Sequence, residues 1–171
     1  MQIRPAAIGD VEAIRSIGLR TWPVTYTSFA GAEYVADGLA KFWTAESVLA
    51  IVEDTRVVVA QDDSGAVVGM GNIDLRLETP VIWRLYVLPE QHGTGVGAGL
   101  MSTLLDLPPA TTTAVRLEYM DGNTRAERFY RKQGFAEIGR EPAERPGWPG
   151  RVWMERRLDG RAGGSAVPTQ V

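Results

Sequence analysis

The chain of 171 residues has no cysteine and a single histidine, His92. Without cysteine there is no disulfide, no thiolate nucleophile and no cysteine-ligated zinc. One histidine excludes a histidine-rich metal centre and leaves no spare imidazole for a Ser-His-Asp triad, so no metal is expected. No apolar run approaches the ~20 residues of a membrane-spanning helix. The opening Met1-Gln2-Ile3-Arg4-Pro5 lacks the basic-then-apolar order of a signal peptide, so a cytoplasmic protein without membrane contacts is expected. Positive charge is scarce as well: 18 Lys and Arg against 21 Asp and Glu leave a net charge of −3, which argues against a nucleic-acid partner. No G-x-x-x-x-G-K-[ST] occurs, which excludes a P-loop.

What remains is ordinary globular composition, 44% hydrophobic and 23% charged, in a length that suits one domain with a real core. That domain is expected over residues 1–158. Gly160–Val171 is rich in Gly, Ala, Ser and Pro, so 159–171 reads as a mobile tail. Charge is unevenly spread: residues 1–85 carry 11 acids and 7 bases, residues 86–171 carry 10 and 11. A mildly basic half facing an acidic half suits an anionic cofactor meeting a cationic acceptor. A homodimer is compatible with this composition.

Periodicity sketches the elements. Ile3–Ala6 reads as a first strand. Asp10 is a candidate N-cap for a helix with Val11, Ile14, Ile17 and Trp22 on its apolar stripe, which Pro23 should end or kink. Glu33–Phe42 and Ala45–Val52 read as short helices, the second capped by Thr44. Arg56–Ala60 and Ala66–Leu77 form a hairpin around Asp62-Asp63-Ser64-Gly65. Strand Val81–Leu88 enters a glycine-rich turn and a helix stopped by Asp106-Leu107-Pro108-Pro109. Strand Ala114–Met120, helix Asn123–Gln133 with Gly134 beyond its end, and strands Phe135–Arg140 and Val152–Arg157 complete the order. This predicts a mixed α/β sheet of six to seven strands with helices on both faces, in which 81–120 is a right-handed βαβ unit with parallel strands.

The chemistry concentrates at the turn Val87-Leu88-Pro89-Glu90-Gln91-His92-Gly93-Thr94-Gly95-Val96-Gly97-Ala98-Gly99. Glycines at 93, 95, 97 and 99 remove side chains that would block a ligand. The helix that follows offers unpaired N–H groups at its positive end, a cradle for phosphate or pyrophosphate. One candidate is a dinucleotide fold, since Gly93–Ala98 satisfies G-x-G-x-x-G/A and Glu118 lies 20 residues past Ala98. Against it, few βα units remain downstream and Glu118 falls inside its strand.

A second pattern explains more residues. Asn123, Ala126, Phe129, Tyr130, Gly134 and Phe135 are spaced N-x-x-A-x-x-F-Y-x-x-x-G-F. On a helix, 123, 126, 129/130 and 133 share one stripe. Together with the strand and glycine turn at 83–99, this resembles the GNAT superfamily of acetyl-CoA-dependent N-acetyltransferases. The resemblance covers about residues 2–158. It implies a GNAT-type sheet whose parallel pair splays near Tyr86. It also implies that the backbones of Leu85, Tyr86 and Val87 pair with pantetheine, and that the amides of Gly93, Thr94, Gly95, Val96, Gly97 and Ala98 hold the pyrophosphate. Asn123 would bond the cofactor near its sulfur, and Tyr130 would donate a proton or hydrogen bond to the leaving thiolate. His92 departs from the family's usual Arg or Gln; it is either a loop residue or a phosphate contact.

By the same resemblance no protein nucleophile is needed; positioning, an oxyanion donor, a base and an acid suffice. The family's occasional strand glutamate is replaced here by Val81. Asp74, Glu78 and Glu118 are the candidate bases, with a water chain as the alternative. Arg125, Arg128 and Lys132 make a basic stripe that either approaches phosphates or faces solvent. Trp22, Tyr26, Phe42, Trp43 and Trp83 either wall an acceptor pocket or form core. Thr21-Trp22-Pro23-Val24-Thr25-Tyr26, Phe42-Trp43-Thr44-Ala45-Glu46-Ser47-Val48, Trp83-Arg84-Leu85-Tyr86-Val87 and Gly139…Val152-Trp153-Met154 are loosely similar to bacterial spermidine/spermine acetyltransferases of that superfamily. That similarity implies a polyamine acceptor, with Glu33, Asp37, Asp74 and Glu78 at the entrance. Other small amines, amino acids and a protein N-terminus stay open as acceptors, as does a non-catalytic acyl-CoA-binding domain, against which Tyr130 speaks.

Overall fold

The computed structural model describes residues 1–158; the expected tail lies outside the described residues. Seven strands form one sheet in the order β1-β2-β3-β4-β5-β7-β6. They are β1 (Gln2–Pro5), β2 (Arg56–Gln61), β3 (Val67–Asp74), β4 (Val81–Val87), β5 (Ala114–Met120), β6 (Ala136–Glu141) and β7 (Arg151–Arg157). The neighbours are antiparallel except β4 and β5, which run parallel. One parallel pair among the described strands is the mixed sheet expected. It overturns the dinucleotide alternative, which needs a run of parallel strands.

Burial explains which strand lies where. Val57, Val58, Val59 and Ala60 of β2 are all buried, and β3 is buried from Val68 to Asp74, the signature of strands covered on both faces. On β3, Gly69 and Gly71 lie under Leu100 and Leu104 of the helix α3 (Val96–Asp106), and Leu85 shares that face. Tyr86, the next residue along β4, turns the other way, against Trp43 at the end of α1 (Val11–Phe42). So α1 and α2 (Ala45–Asp54) cover one face and α3 the other. The last helix, α4 (Thr124–Lys132), follows β5.

Two local expectations are corrected. Pro23 does not end its helix. It sits inside α1 beside exposed Leu19 and Val24, where a carbonyl that loses its partner can turn to water. The break comes instead at Gly31, whose φ of 85° leaves the helix, so 33–42 is a separate segment as expected. Asp10 does not cap α1 with its side chain. It accepts both terminal nitrogens of Arg4, at 2.7 and 2.8 Å, and the Ala7 N–H at 2.8 Å, clamping β1 to the start of α1. The Arg4 hydrogen bonds hold its carboxyl below the usual aspartate range. Thr44 does cap α2, accepting the Ser47 N–H at 3.1 Å.

Tight packing fixes the two tryptophans of α1 and the α1–α2 junction. A Cβ on Gly38 would lie within the Trp22 ring, and one on Gly18 within the Trp43 ring. Glycine at these positions lets each indole lie flat on the helix backbone.

Candidate functional site

The pairing of β4 with β5 stops at Val81 with Arg116 and Ile82 with Leu117. On its other side β4 stays paired with β3 as far as Val87. The β5-facing edge of Leu85, Tyr86 and Val87 is therefore left without a strand. This splay opens a cleft of about 940 Å³ running from the glycine turn to the helices of α1. A bare strand edge is a template for an extended ligand that offers alternating donors and acceptors.

The turn continues that edge. After a 3-10 turn, Pro89–Gln91, Gly93 and Gly95 take φ of 84° and 93°, open to a residue without Cβ. Gly95 starts α3 with no side-chain cap, and the Gly99 N–H is the first to reach back, to the Gly95 carbonyl at 2.9 Å. The amides ahead of it have no intrahelical acceptor, as an anion cradle requires. Gly93, Gly95, Gly97 and Ala98 line the cleft; Thr94 and Val96 do not, and Val96 is core. The Val96 amide remains open to a ligand, whereas Thr94 turns both its N–H, at 3.4 Å, and its Oγ1, at 2.7 Å, to the Gln91 carbonyl.

His92, Asn123 and Tyr130 are all at the cleft, each with its own restriction. The His92 Nε2 lies 2.9 Å from the Val87 carbonyl, bracing the end of β4. Burial lowers the histidine's proton affinity, so the neutral ring donates this bond. Asn123 spends its Oδ1 as the α4 cap, accepting the Ala126 N–H at 3.1 Å; only its Nδ2 is left for a ligand. Tyr130 packs among Tyr119, Phe129 and Phe135 and is 9% exposed. Burial pushes its phenol well above the usual range, so it stays a proton-bearing donor at neutral pH. Of the basic stripe on α4, Arg125 reaches the cleft lining and Arg128 and Lys132 do not.

The far wall is aromatic. Trp22 stacks on Tyr34 at 5.8 Å, Tyr26 meets both edge-on, and Tyr34 abuts Trp148 at 5.2 Å. The Tyr26 and Tyr86 hydroxyls are 3.3 Å apart. Trp83, at a bulge in β4, is 42% exposed and meets Trp153. Trp22 and Tyr26 are thus both core and pocket wall, while Trp43 is core beneath it.

The candidate carboxylates separate sharply. Glu118 projects from β5 into the cleft, and its Oε2 is buried with no hydrogen-bond partner. Burial raises its proton affinity. Arg151, 3.9 Å away, opposes the rise only in part, because that guanidinium also serves Glu141 and Glu144. Asp74 also lines the cleft, but Arg76 grips it at 2.9 and 2.8 Å. Those hydrogen bonds lower its proton affinity, which makes it a poor base. Glu33 and Glu78 are corrections. Both are exposed and away from the cleft lining; on α1 the inward position falls one turn later, at Asp37, and Glu78 lies in the β3–β4 loop.

Sequence reasoning missed Arg84 and Asn72, which face each other on β4 and β3, and Tyr34, Trp148 and Arg151. Arg84 did leave a signal: a lone charge in the otherwise apolar Val81–Val87. Among the described residues no group of three His, Cys, Asp or Glu is placed to hold a metal, and no helix is long and apolar enough to cross a membrane.

Comparison with known proteins bears on this geometry. Residues 53–137 match the family model described as "Acetyltransferase (GNAT) domain". An uncharacterized N-acetyltransferase of Mycobacterium tuberculosis is 29% identical over 130 residues, covering 74% of this chain and 83% of that protein. Among solved structures, the PaiA N-acetyltransferase of Thermoplasma acidophilum in complex with coenzyme A superposes with a TM-score of 0.77 at 21% identity, over 91% of this chain and 98% of that one. The putative acetyltransferase YncA of Salmonella typhimurium with acetyl-CoA gives 0.73 at 21% identity, over 98% and 99%.

Proposed function

On the match of residues 53–137 to the acetyltransferase (GNAT) domain, we propose that the chain is an acetyltransferase of that kind, moving an acetyl group from acetyl-CoA to a small primary amine bound at the aromatic wall. The observation that carries this is the parting of β4 from β5 after Ile82, which leaves a bare strand edge leading into the glycine turn. The edge at Leu85–Val87 suits the amides of pantetheine, and the amides of the Gly93–Ala98 turn other than that of Thr94, which donates to the Gln91 carbonyl, suit the pyrophosphate. Bound there, acetyl-CoA supplies an activated thioester that an uncharged amine can attack directly.

The chain's own groups then have three tasks. Glu118 takes the ammonium proton: its buried Oε2, which has no hydrogen bond, and its raised proton affinity bring it toward the working pH, as a base requires. Tyr130, kept protonated by burial, donates toward the departing sulfur. The Tyr26, Tyr34, Trp22 and Trp148 rings hold the acceptor and exclude water. The products are an N-acetylamine and coenzyme A with its thiol: of the two protons the nitrogen loses, the first leaves through Glu118 to solvent, and the second, released after attack, replaces the one Tyr130 gives to the sulfur.

Calorimetric titration should show coenzyme A binding and little affinity for NAD. A thiol-release assay over an amine panel should show turnover. Tight NAD binding with none for coenzyme A would overturn the assignment. A polyamine acceptor is the second form of this reading. It is supported by Asp37 and Asp54, which line the cleft with no ion-pair partner among the described residues. Spermidine would then outpace a monoamine of similar length, by a margin that shrinks in high salt; equal rates would remove the polyamine.

A further inference from the structure

One half-buried cation at the acceptor side of the cleft forms no ion pair with any carboxylate among the described residues. Arg84 lies in mid-β4, and its guanidinium carbon is 5.0 Å from the Trp43 ring centre and 6.0 Å from that of Phe42. Its Nη1 is buried and has no hydrogen-bond partner. The other arginines of this wall are committed: Arg76 to Asp74, and Arg151 to Glu118, Glu141 and Glu144. Stacking against an indole occupies the flat face of a guanidinium and leaves its N–H edge free. That edge matches a carboxylate, which it can hold through two parallel bonds.

A second orphan sits beside it. Asn72 is the register partner of Arg84, so the two side chains share a face of the sheet. Asn72 Nδ2 donates to Thr55 Oγ1 at 3.2 Å, and Thr55 itself donates to the Ile51 carbonyl at 2.7 Å. The threonine proton is therefore used, the amide orientation is set, and Asn72 Oδ1 is left as a buried acceptor with no donor. Buried polar groups are rarely left unpaired unless something else completes them. A free donor edge and a free acceptor, on facing positions within one ligand-sized cleft, describe a polar subsite that a ligand fills.

We infer that Arg84 is the anion subsite of the acceptor pocket, and that the preferred acceptor is an amine bearing a carboxylate a few bonds from its nitrogen, as in an amino acid. This rests on the acetyltransferase reading. Arg84 on β4 and Glu118 on β5 line the same cleft, on the two strands that part after Ile82. A zwitterion in that cleft can present its ammonium to Glu118 and its carboxylate to Arg84. The second ammonium of a polyamine would meet the Arg84 charge instead.

The test compares L-leucine, L-methionine and L-phenylalanine with their carboxamides, their decarboxylated amines and spermidine, by thiol release. The free acids should exceed the carboxamides at least about tenfold in kcat/KM, mostly through KM, as one charge-assisted contact implies. Arg84→Gln should erase that preference, with neutral amines within about threefold of wild type; Arg84→Lys should keep part of it. Tryptophan fluorescence of the protein with coenzyme A, titrated with N-acetyl-L-phenylalanine and its amide, reads the same preference without turnover. A wild-type preference for carboxamides, plain amines or spermidine overturns the inference, as does a carboxylate preference that survives Arg84→Gln. Turnover without carboxylate preference leaves the acetyltransferase reading standing. Arg84-dependent carboxylate binding without thiol release from any acceptor would instead retain the subsite and remove the reaction.

Discussion

On the proposed acetyltransferase reading, the two walls of the cleft recognise their ligands by different means. The cofactor wall is mostly backbone: a bare edge of β4, a turn of glycines and the uncapped start of α3. The acceptor wall is mostly side chain, gathered from α1, α2, β3, β4, β5 and the β6–β7 loop. Backbone recognition tolerates changes of side chain and serves a ligand of constant shape. Side-chain recognition changes with single substitutions, which lets one scaffold take different acceptors.

The contrast breaks most readily at Glu118. Glu118→Gln should lower kcat/KM by about 10³-fold and leave coenzyme A affinity near wild type, as for loss of a positioned base. The rising limb of the pH profile should lie above the usual glutamate range in wild type, because burial raises the folded carboxyl's proton affinity. In Glu118→Gln that limb should disappear. Asp74→Asn should change the rate less than about threefold, since Arg76 already holds that carboxylate in its ionised form. A larger loss from Asp74→Asn than from Glu118→Gln would exchange their roles.

Tyr130 stands at the seam between the walls. Tyr130→Phe should slow turnover by about 10²-fold with little change in coenzyme A affinity, within the range for a positioned acid. An unchanged rate would leave it a packing residue beside Phe129 and Phe135.

Gly38→Ala gives the smallest effect and the sharpest separation. A methyl there enters the space of the Trp22 ring, and overpacking of this kind costs about 1–3 kcal/mol. Urea unfolding should show that loss, and the KM for the amine should rise while the coenzyme A Kd holds. Equal damage to both constants would mean the walls are not independent.

How legible each wall was follows from the same distinction. The glycine turn, its helix and the Asn123–Phe135 spacing are local in the chain, and local patterns can be read in order. The parallel pairing of β4 and β5 followed from the element order, but a splay near Tyr86 came only from the resemblance, and its start after Ile82 required the register. The acceptor wall could not be read this way. Glu33 and Glu78 looked as acidic as Asp37; Glu33 and Asp37 even share a helix face, and only the tertiary packing put Asp37 at the cleft lining and left Glu33 and Glu78 off it. Asp74 and Glu118 were equal as candidates in the sequence; in the fold Arg76 grips the first through two hydrogen bonds, while Oε2 of the second is buried without one.

The sequence by itself determined the order of strands and helices, the anion cradle and the pattern that resembles an acetyltransferase, because each depends on backbone freedom and periodicity within a few residues. Only the tertiary structure decided where Pro23 is tolerated, which carboxylate is free, and that Arg84 and Asn72 stand unpaired together. Those outcomes depend on burial and on partners tens of residues away in the chain, and no local pattern encodes either.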